Sequence, residues 1–137
     1  MIWLRVTFIS ILITLFSVYG ILASYEGLSN EIKKENISFT NNKNIEYIDG
    51  NKSGTTLKIR YWVEGDSFHP LGMTNKRKLS DFFTDLKINT MLKRDIPLVC
   101  KGDKIIWISG YRLNNLFKVS TDTKIVYKLE LIKIEKK

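Results

Sequence analysis

Apolar and polar positions divide this chain of 137 residues into three parts. Residues 1–24 contain an uncharged apolar run, Val6–Ala23, about as long as one crossing of a bilayer requires. Residues 25–43 are polar and are predicted to form a linker. In residues 44–137 short apolar runs alternate with turn signals, a pattern typical of a folded domain.

The folded part is predicted to contain mainly strands. The runs with the length and composition of strands are residues 45–48, 57–61, 96–100, 105–109, 116–119 and 124–134. The turn Lys101–Lys104 joins the third run to the fourth and predicts a hairpin. Because residues 105–108 are apolar on both faces, they are expected to form a central strand that is covered on each side.

One amphipathic helix is predicted at Lys78–Lys87. Its apolar stripe is expected to belong to the core and consists of Leu79, Phe82, Phe83 and Leu86. A shorter helical segment is predicted at Asn89–Arg94. The expected fold class is therefore α+β: a small, mostly antiparallel sheet or sandwich-like domain with one or two packed helices, preceded by an apolar N-terminal helix.

Residues 60–87 form the part around which the domain is expected to be organised. Two turn signals lie there, and the residues predicted to set the shape of the loop are Gly65, Asp66, Pro70 and Gly72. Lys76, Arg77 and Lys78 follow and open the predicted helix. Three cations are unfavourable beside the positive end of a helix dipole, so we expect them to face an anionic partner.

The charge of the chain is uneven. The formal net charge is +8, yet residues 1–50 carry four Lys and Arg against five Asp and Glu, and the remainder carries 18 against nine. Such a basic domain favours a polyanionic partner, with nucleic acid first and an anionic membrane surface second. A solvated basic face that maintains solubility is the simpler alternative.

Other residue types indicate structural roles. Cys100 is the single cysteine, so no internal disulfide is expected, and it is predicted to be a small buried apolar residue. His69 lies near Asp66, but no nucleophile is spaced with them, so His69 is expected to shape its loop. Asp81 and Asp85 are expected to pair with Lys78 or nearby lysines. Trp62 and Trp107 are expected in the core, and no metal-ligand spacing is present.

Several segments together carry a resemblance to a known family. They are Gly65–Met73, Lys78–Phe83, Lys93–Leu98, Ile106–Arg112, Phe117–Val119 and Thr123–Lys124, preceded by a strand pair in Asn44–Trp62. In this order and spacing they resemble the C-terminal domain of bacterial tRNA(Ile)-lysidine synthetase. The resemblance covers about residues 44–131.

The resemblance implies an ATP- and Mg-dependent ligase as the parent enzyme. Such an enzyme adenylates the wobble cytidine of a tRNA(Ile) with a CAU anticodon, and a lysine amine then displaces AMP to give lysidine. The family's catalytic domain has a Ser-Gly-Gly-x-Asp-Ser phosphate loop that this sequence lacks. We therefore assign no catalytic residues and no cofactor to this chain. It is expected to be inactive alone, whether as a fragment, a frameshifted product or half of a split enzyme beside a separate or upstream catalytic domain.

The family's C-terminal domain resembles a module that holds tRNA by its acceptor stem. Its fold is similar to part of the phenylalanyl-tRNA synthetase β chain. Phosphate contacts suit such a task, because duplex RNA offers little access to base edges. The predicted tRNA-binding residues are Lys76, Arg77 and Lys78 first, then Arg60, Lys87, Lys93, Arg94 and Arg112. Arg94 has Asp95 as an alternative partner, and burial against Tyr111 is the alternative for Arg112.

The apolar run leaves a second hypothesis open. Residues 6–23 are a membrane anchor, a signal sequence or an extension foreign to the domain. An anchor or signal would make the chain a membrane-tethered or exported basic β-rich interaction module. The tRNA hypothesis instead requires a cytoplasmic protein, since tRNA is cytosolic.

Overall fold

The computed structural model describes residues 2–8 and 41–133. In chain order the elements are β1 (Ile2–Phe8), β2 (Ile45–Asp49), α1 (Gly50–Ser53), β3 (Lys58–Arg60), β4 (Ser67–Phe68), β5 (Arg77–Lys78), α2 (Leu79–Asp85), α3 (Thr90–Lys93), β6 (Leu98–Lys101), β7 (Lys104–Ile108), β8 (Arg112–Leu113), a 3-10 helix (Asn115–Phe117) and β9 (Val126–Lys133).

The strands form two sheets and a small ribbon. One sheet has the order β1-β9-β2, the other has the order β3-β6-β7-β8, and β4 pairs with β5. All these pairs are antiparallel. The predicted hairpin is β6–β7, and the predicted short helices near residues 78–87 and 89–94 are α2 and α3. The α+β fold class predicted from the sequence is therefore confirmed.

The four-stranded sheet is the middle layer of the domain. One of its faces packs on the β1-β9-β2 sheet through a cluster that includes Val99, Trp107 and Leu129. Its other face is covered by α2 and β4 through a cluster that includes Leu98 and Phe83. Full burial of one such side chain contributes about 1.5–3 kcal/mol, so these two clusters hold the layers together.

Strand β7 is central, as the sequence predicts, because all its residues from Ile105 to Ile108 are buried. It also contains an irregularity: Val99 lies opposite Trp107, whereas the next residue of β6, Cys100, lies opposite Ile105. Ile106 is therefore an extra residue, as in a β-bulge. Because of this bulge Ile106 and Trp107 both join the cluster between the two sheets.

Helix α2 uses most of its predicted apolar stripe. Leu79, Phe82 and Phe83 are buried. The ring of Phe82 meets Phe68 edge to face at a centroid distance of 5.2 Å. Leu86 lies just beyond the end of the helix and is 46% exposed, so the stripe is one residue shorter than predicted.

Two predicted elements are wrong. The run 116–119 is not a strand, because the side chain of Asn114 accepts a hydrogen bond from the Leu116 N–H and starts a 3-10 helix there. The cationic triplet does not open the predicted helix either. Arg77 and Lys78 form β5, and α2 begins at Leu79. Lys78 is the N-cap residue of α2, and its extended backbone ends the β5 strand before the first turn of the helix.

The N-terminal apolar segment is described only in part. Ile2–Phe8 form a strand and not the predicted apolar helix, and Val6 lies opposite Leu129 of β9. Pairing with β9 satisfies the backbone of this segment across strands instead of within a helix. The predicted helix and linker at residues 9–40 lie outside the described residues. Within residues 2–8 and 41–133 no helix is long and apolar enough to span a membrane.

Candidate nucleic-acid interface

The loop before β5 is held by two tight turns. The Asp66 N–H donates to the Val63 carbonyl at 3.2 Å, and the Met73 N–H donates to the Pro70 carbonyl at 2.8 Å. The third residue of each turn is a glycine with positive φ, +93° at Gly65 and +85° at Gly72. This left-handed backbone disfavours residues with a side chain, which explains the use of glycine here.

The same loop is docked on the end of β8 and on the segment that follows it. The Leu71 N–H donates to the Leu113 carbonyl at 2.9 Å, and the Asn115 N–H donates to the His69 carbonyl at 2.7 Å. The side-chain oxygen of Asn115 also accepts from the Gly72 N–H at 3.1 Å. These bonds join residues more than 40 positions apart, so the loop is a fixed part of the domain.

Asn114 connects this docking segment to the bulge of β7. Its backbone N–H donates to the Ile106 carbonyl at 2.7 Å, and its side-chain amide donates to the Ile105 carbonyl at 2.6 Å. Its side-chain oxygen accepts from the Leu116 N–H. Asn114 is 3% exposed, so all these groups are satisfied away from water. Sequence reasoning missed this residue, although an asparagine after an apolar strand residue is a common start of a helical turn.

Arg60, a predicted tRNA contact, is paired within the domain. Its guanidinium binds both carboxylate oxygens of Asp66, at 2.7 and 2.8 Å. Burial alone would raise the pKa of the Asp66 carboxyl, but the hydrogen bonds from Arg60 and from the Val63 N–H outweigh it, and the pKa is lowered. The bond to Asp66 also raises the pKa of Arg60. Arg60 therefore supports the loop.

The cationic triplet divides into paired and unpaired charges. Arg77 forms an ion pair with Asp85, which was expected to bind Lys78 or a nearby lysine. Lys76 and Lys78 are exposed, and neither has an ion pair within the part of the chain that the structure describes. The antiparallel pairing with β4 fixes the backbone that carries Lys78. Two free ammonium groups thus stand on either side of an internally paired arginine.

The remaining predicted contacts belong to other elements of the domain. Lys87 follows the C-terminal end of α2. Lys93 is the last residue of α3, and Arg94 is its C-cap. Among the described residues no ion pair joins Arg94 to Asp95. Arg112 is exposed on β8, and its neighbour Tyr111 is exposed too. β8 and β3 are opposite edges of their sheet, so Arg112 and Arg60 lie apart.

A surface pocket of about 340 Å³ lies beside the docked loop. It brings the loop at residues 65–69 together with Lys76, with the hairpin turn at Asp103 and Lys104, and with Asn114. Sequence reasoning treated the Lys101–Lys104 turn as a connection and missed these two charges. Asp103 and Lys104 were visible in the sequence as a charged pair inside a tight turn. Their closeness to Lys76 in the fold was not visible, because they lie far from Lys76 along the chain.

Trp62, Trp107 and Cys100 lie in the core or pack against it. Trp107 is buried, as predicted, and Trp62 packs its ring against Phe83 at a centroid distance of 6.5 Å. Cys100 is buried as expected, and burial raises the pKa of its thiol to about 11. Within residues 41–133 no cluster of three or more His, Cys, Asp or Glu side chains could hold a metal ion.

Comparison with known proteins gives a consistent set of relatives. The family described as "TilS substrate C-terminal domain" matches residues 57–130. The tRNA(Ile)-lysidine synthase of Clostridium acetobutylicum is 42% identical over 97 residues, which are 71% of this chain and 21% of that protein. The protein of the same name from Parabacteroides distasonis is 44% identical over 85 residues, 62% of this chain and 19% of that protein. The chain thus spans about a fifth of the length of these curated relatives.

Solved structures show the same fold. A crystal structure of a TILS C-terminal domain aligns with a TM-score of 0.61 and 15% identity, over 98% of this chain and 85% of that one. An N-terminal fragment of the phenylalanyl-tRNA synthetase beta-subunit from Pyrococcus horikoshii aligns with a TM-score of 0.50 and 17% identity, over 64% of this chain and 27% of that one. The resemblance found in the sequence motifs is confirmed, and the chain belongs to the family of TilS substrate C-terminal domains.

Proposed function

We propose that this chain is the tRNA-binding part of a tRNA(Ile)-lysidine synthase and that it binds the RNA backbone through cations beside the docked loop. One observation carries the proposal: the arginines of this region are paired with Asp66 and Asp85, whereas Lys76 and Lys78 are exposed and unpaired within residues 41–133. The family relationship supplies the class of partner, since the relatives are named as tRNA-modifying synthases.

The deep groove of duplex RNA excludes side chains, so proteins bind its phosphates, its 2′-hydroxyls and its shape. Each phosphate that a lysine neutralises releases counterions and strengthens binding. Lys78 lies in the β4–β5 ribbon, and Lys76 stands between this ribbon and the turn at Gly72. A preformed backbone reduces the conformational entropy that is lost on binding.

We also propose which RNA is bound and which residues extend the contact. The RNA is a tRNA(Ile) with a CAU anticodon, and the contact is with its acceptor stem. Lys87, Lys93, Arg94 and Arg112 extend the contact from Lys76 and Lys78, and Arg77 adds to it where its ion pair opens. ATP, Mg²⁺ and lysine would be used by a separate or upstream catalytic domain, and binding to tRNA would place the chain in the cytoplasm. The comparisons offer no support for the alternative of a membrane-tethered or exported module.

The proposal is tested by titrating the full chain with unmodified tRNA(Ile) over a series of salt concentrations. A phosphate-binding surface predicts that the logarithm of the binding constant falls linearly with the logarithm of the salt concentration. Each phosphate contact adds about 0.7–0.9 to the slope. Weak binding that does not depend on salt would show that the surface does not serve this purpose.

A further inference from the structure

The pocket beside the docked loop contains polar side chains that the domain itself does not use. Asp66 is occupied by Arg60, and both polar groups of the Asn114 side chain are bonded. The other polar groups make no side-chain hydrogen bond or ion pair within residues 41–133, and they are Ser67, His69, Lys76, Asp103 and Lys104. Five polar groups without a hydrogen bond around one concavity are suited to a polar ligand.

The charges of the pocket indicate the kind of ligand. Lys76 and Lys104 contribute two ammonium groups, and Asp103 contributes a carboxylate that makes no hydrogen bond within residues 41–133, although it interacts electrostatically with the Arg60 guanidinium. A simple phosphate ion would gain from the lysines but would be repelled by Asp103. A ligand with one anionic phosphate and several N–H or O–H donors can bind all three groups. Nucleotides have this combination, because the base and the ribose supply donors beside the phosphate.

The size and walls of the pocket agree with this ligand. A volume of about 340 Å³ lies at the lower end of the range of small-molecule sites, about 300–1,000 Å³. A duplex cannot enter such a concavity, whereas a single unpaired nucleotide can. Leu116 is 46% exposed at the pocket and offers an apolar surface to the face of a base.

We infer that this pocket binds one unpaired nucleotide of the RNA, with the phosphate on Lys76 and Lys104 and a base or ribose donor on Asp103. The inference rests on the proposed function and deepens it, because it assigns recognition of an unpaired nucleotide to the same surface. RNA-binding proteins commonly read such nucleotides, since their base edges are accessible. The pocket is preformed, because Asp66 and Asn114 already fix its walls.

The test compares two RNA hairpins that differ only in a short single-stranded 3′ tail. Wild-type protein should bind the tailed hairpin about tenfold more tightly than the blunt one. Lys104→Ala should reduce this gain to about twofold or less, and it should weaken binding of the blunt hairpin no more than Lys124→Ala does. Lys124→Ala is the matched control, since this exposed lysine does not line the pocket, and it should retain the full gain.

Asp103→Ala makes the test independent of net charge. Removal of a negative charge should tighten all RNA binding if only long-range electrostatics matter. If Asp103 accepts a hydrogen bond from the nucleotide, the same change should instead reduce the gain from the tail. An equal gain from the tail in all four proteins would overturn the inference and leave the proposed function standing. Failure to bind any RNA in a salt-dependent manner would overturn both.

Discussion

Arg60 and Asp66 form a forked ion pair that joins the end of β3 to the turn before β4, with nitrogen–oxygen distances of 2.7 and 2.8 Å. Asp66 also accepts a hydrogen bond from the Val63 N–H at 3.0 Å. Its backbone carbonyl accepts from the N–H of Leu79, the first residue of α2, at 2.8 Å. Asp66 therefore connects the middle sheet, the loop and the helix, and the position of the cationic loop depends on it.

Replacement of Asp66 by asparagine should destabilise the domain. The amide loses the charge-assisted fork with Arg60 and leaves a half-buried guanidinium without its partner. We expect a loss of about 1–3 kcal/mol in the free energy of unfolding at neutral pH, between the ranges for exposed and buried pairs. Urea unfolding measures it. The control is Asp85→Asn, which removes an exposed ion pair and should cost about 0.5 kcal/mol or less.

The loss of stability caused by Asp66→Asn should depend on pH. The pKa of Asp66 is lower in the folded protein than its ordinary value of 3.8, so the pair stabilises the fold above that value. This contribution is lost as the pH falls through the folded pKa, where the carboxylate becomes protonated. The stability difference between the wild type and Asp66→Asn should therefore shrink in acid below that ordinary value. An undiminished difference there would contradict the assigned role of the charge.

Ionisation of Glu46 should destabilise the folded domain, whereas ionisation of Asp66 stabilises it. Burial raises the pKa of its carboxyl, and a hydrogen bond from the Tyr47 N–H offsets part of the rise. A raised folded pKa means that ionisation disfavours the folded state as the pH rises from the ordinary value of 4.5 through the folded pKa. Glu46→Gln should therefore stabilise the domain at neutral pH and give no gain below the ordinary value. Thermal unfolding at several pH values measures this, and a gain that persists in acid would exclude the explanation.

Asn114→Ala should be more damaging than the same change at its neighbour. It leaves the buried Ile105 carbonyl without its side-chain donor and removes the acceptor that starts the 3-10 helix. The expected loss is about 2–4 kcal/mol in the free energy of unfolding. Asn115→Ala removes one exposed bond to the Gly72 N–H and should cost about 1 kcal/mol. Chemical denaturation compares the two, and equal losses would show that Asn114 does not fix the bulge.

Substitutions at Gly72 test whether the loop requires a left-handed backbone at this position. A Cβ built at this position meets no atom within 4 Å, so any cost of a side chain arises from the positive φ of +85°. Gly72→Ala should lower the free energy of unfolding by about 1–2 kcal/mol, and Gly72→Asn should lower it by less, since asparagine tolerates this region. Equal effects of the two substitutions would mean that the backbone conformation is not the cause.

Local patterns were sufficient to predict much of the fold. The apolar spacing of Leu79, Phe82 and Phe83 predicted α2, and the two apolar runs around the Lys101–Lys104 turn predicted the β6–β7 hairpin. The ribbon β4–β5 was missed because each strand has two residues, too few for a period to be seen. The run 116–119 was wrongly predicted as a strand because its composition is apolar, whereas the side chain of Asn114 decides its conformation.

The site was harder to predict than the fold. The cationic triplet and the glycine turns were visible in the sequence, since each is a local feature. The pairing of Arg60 with Asp66 depends on how a strand end meets a turn, and the pocket unites Lys76 with Lys104 across the fold. Such relationships arise from tertiary packing, and spacing along the chain does not contain them.

Lys76 and Lys78 are the proposed contacts with RNA phosphates. The most direct measurement is the salt dependence of tRNA binding by the double variant Lys76→Gln/Lys78→Gln beside Lys118→Gln/Lys124→Gln, which removes the same charge from two other exposed lysines. We predict a slope that is shallower by about 1.5 for the first variant and nearly unchanged for the second. Equal slopes for the two variants would contradict the claim.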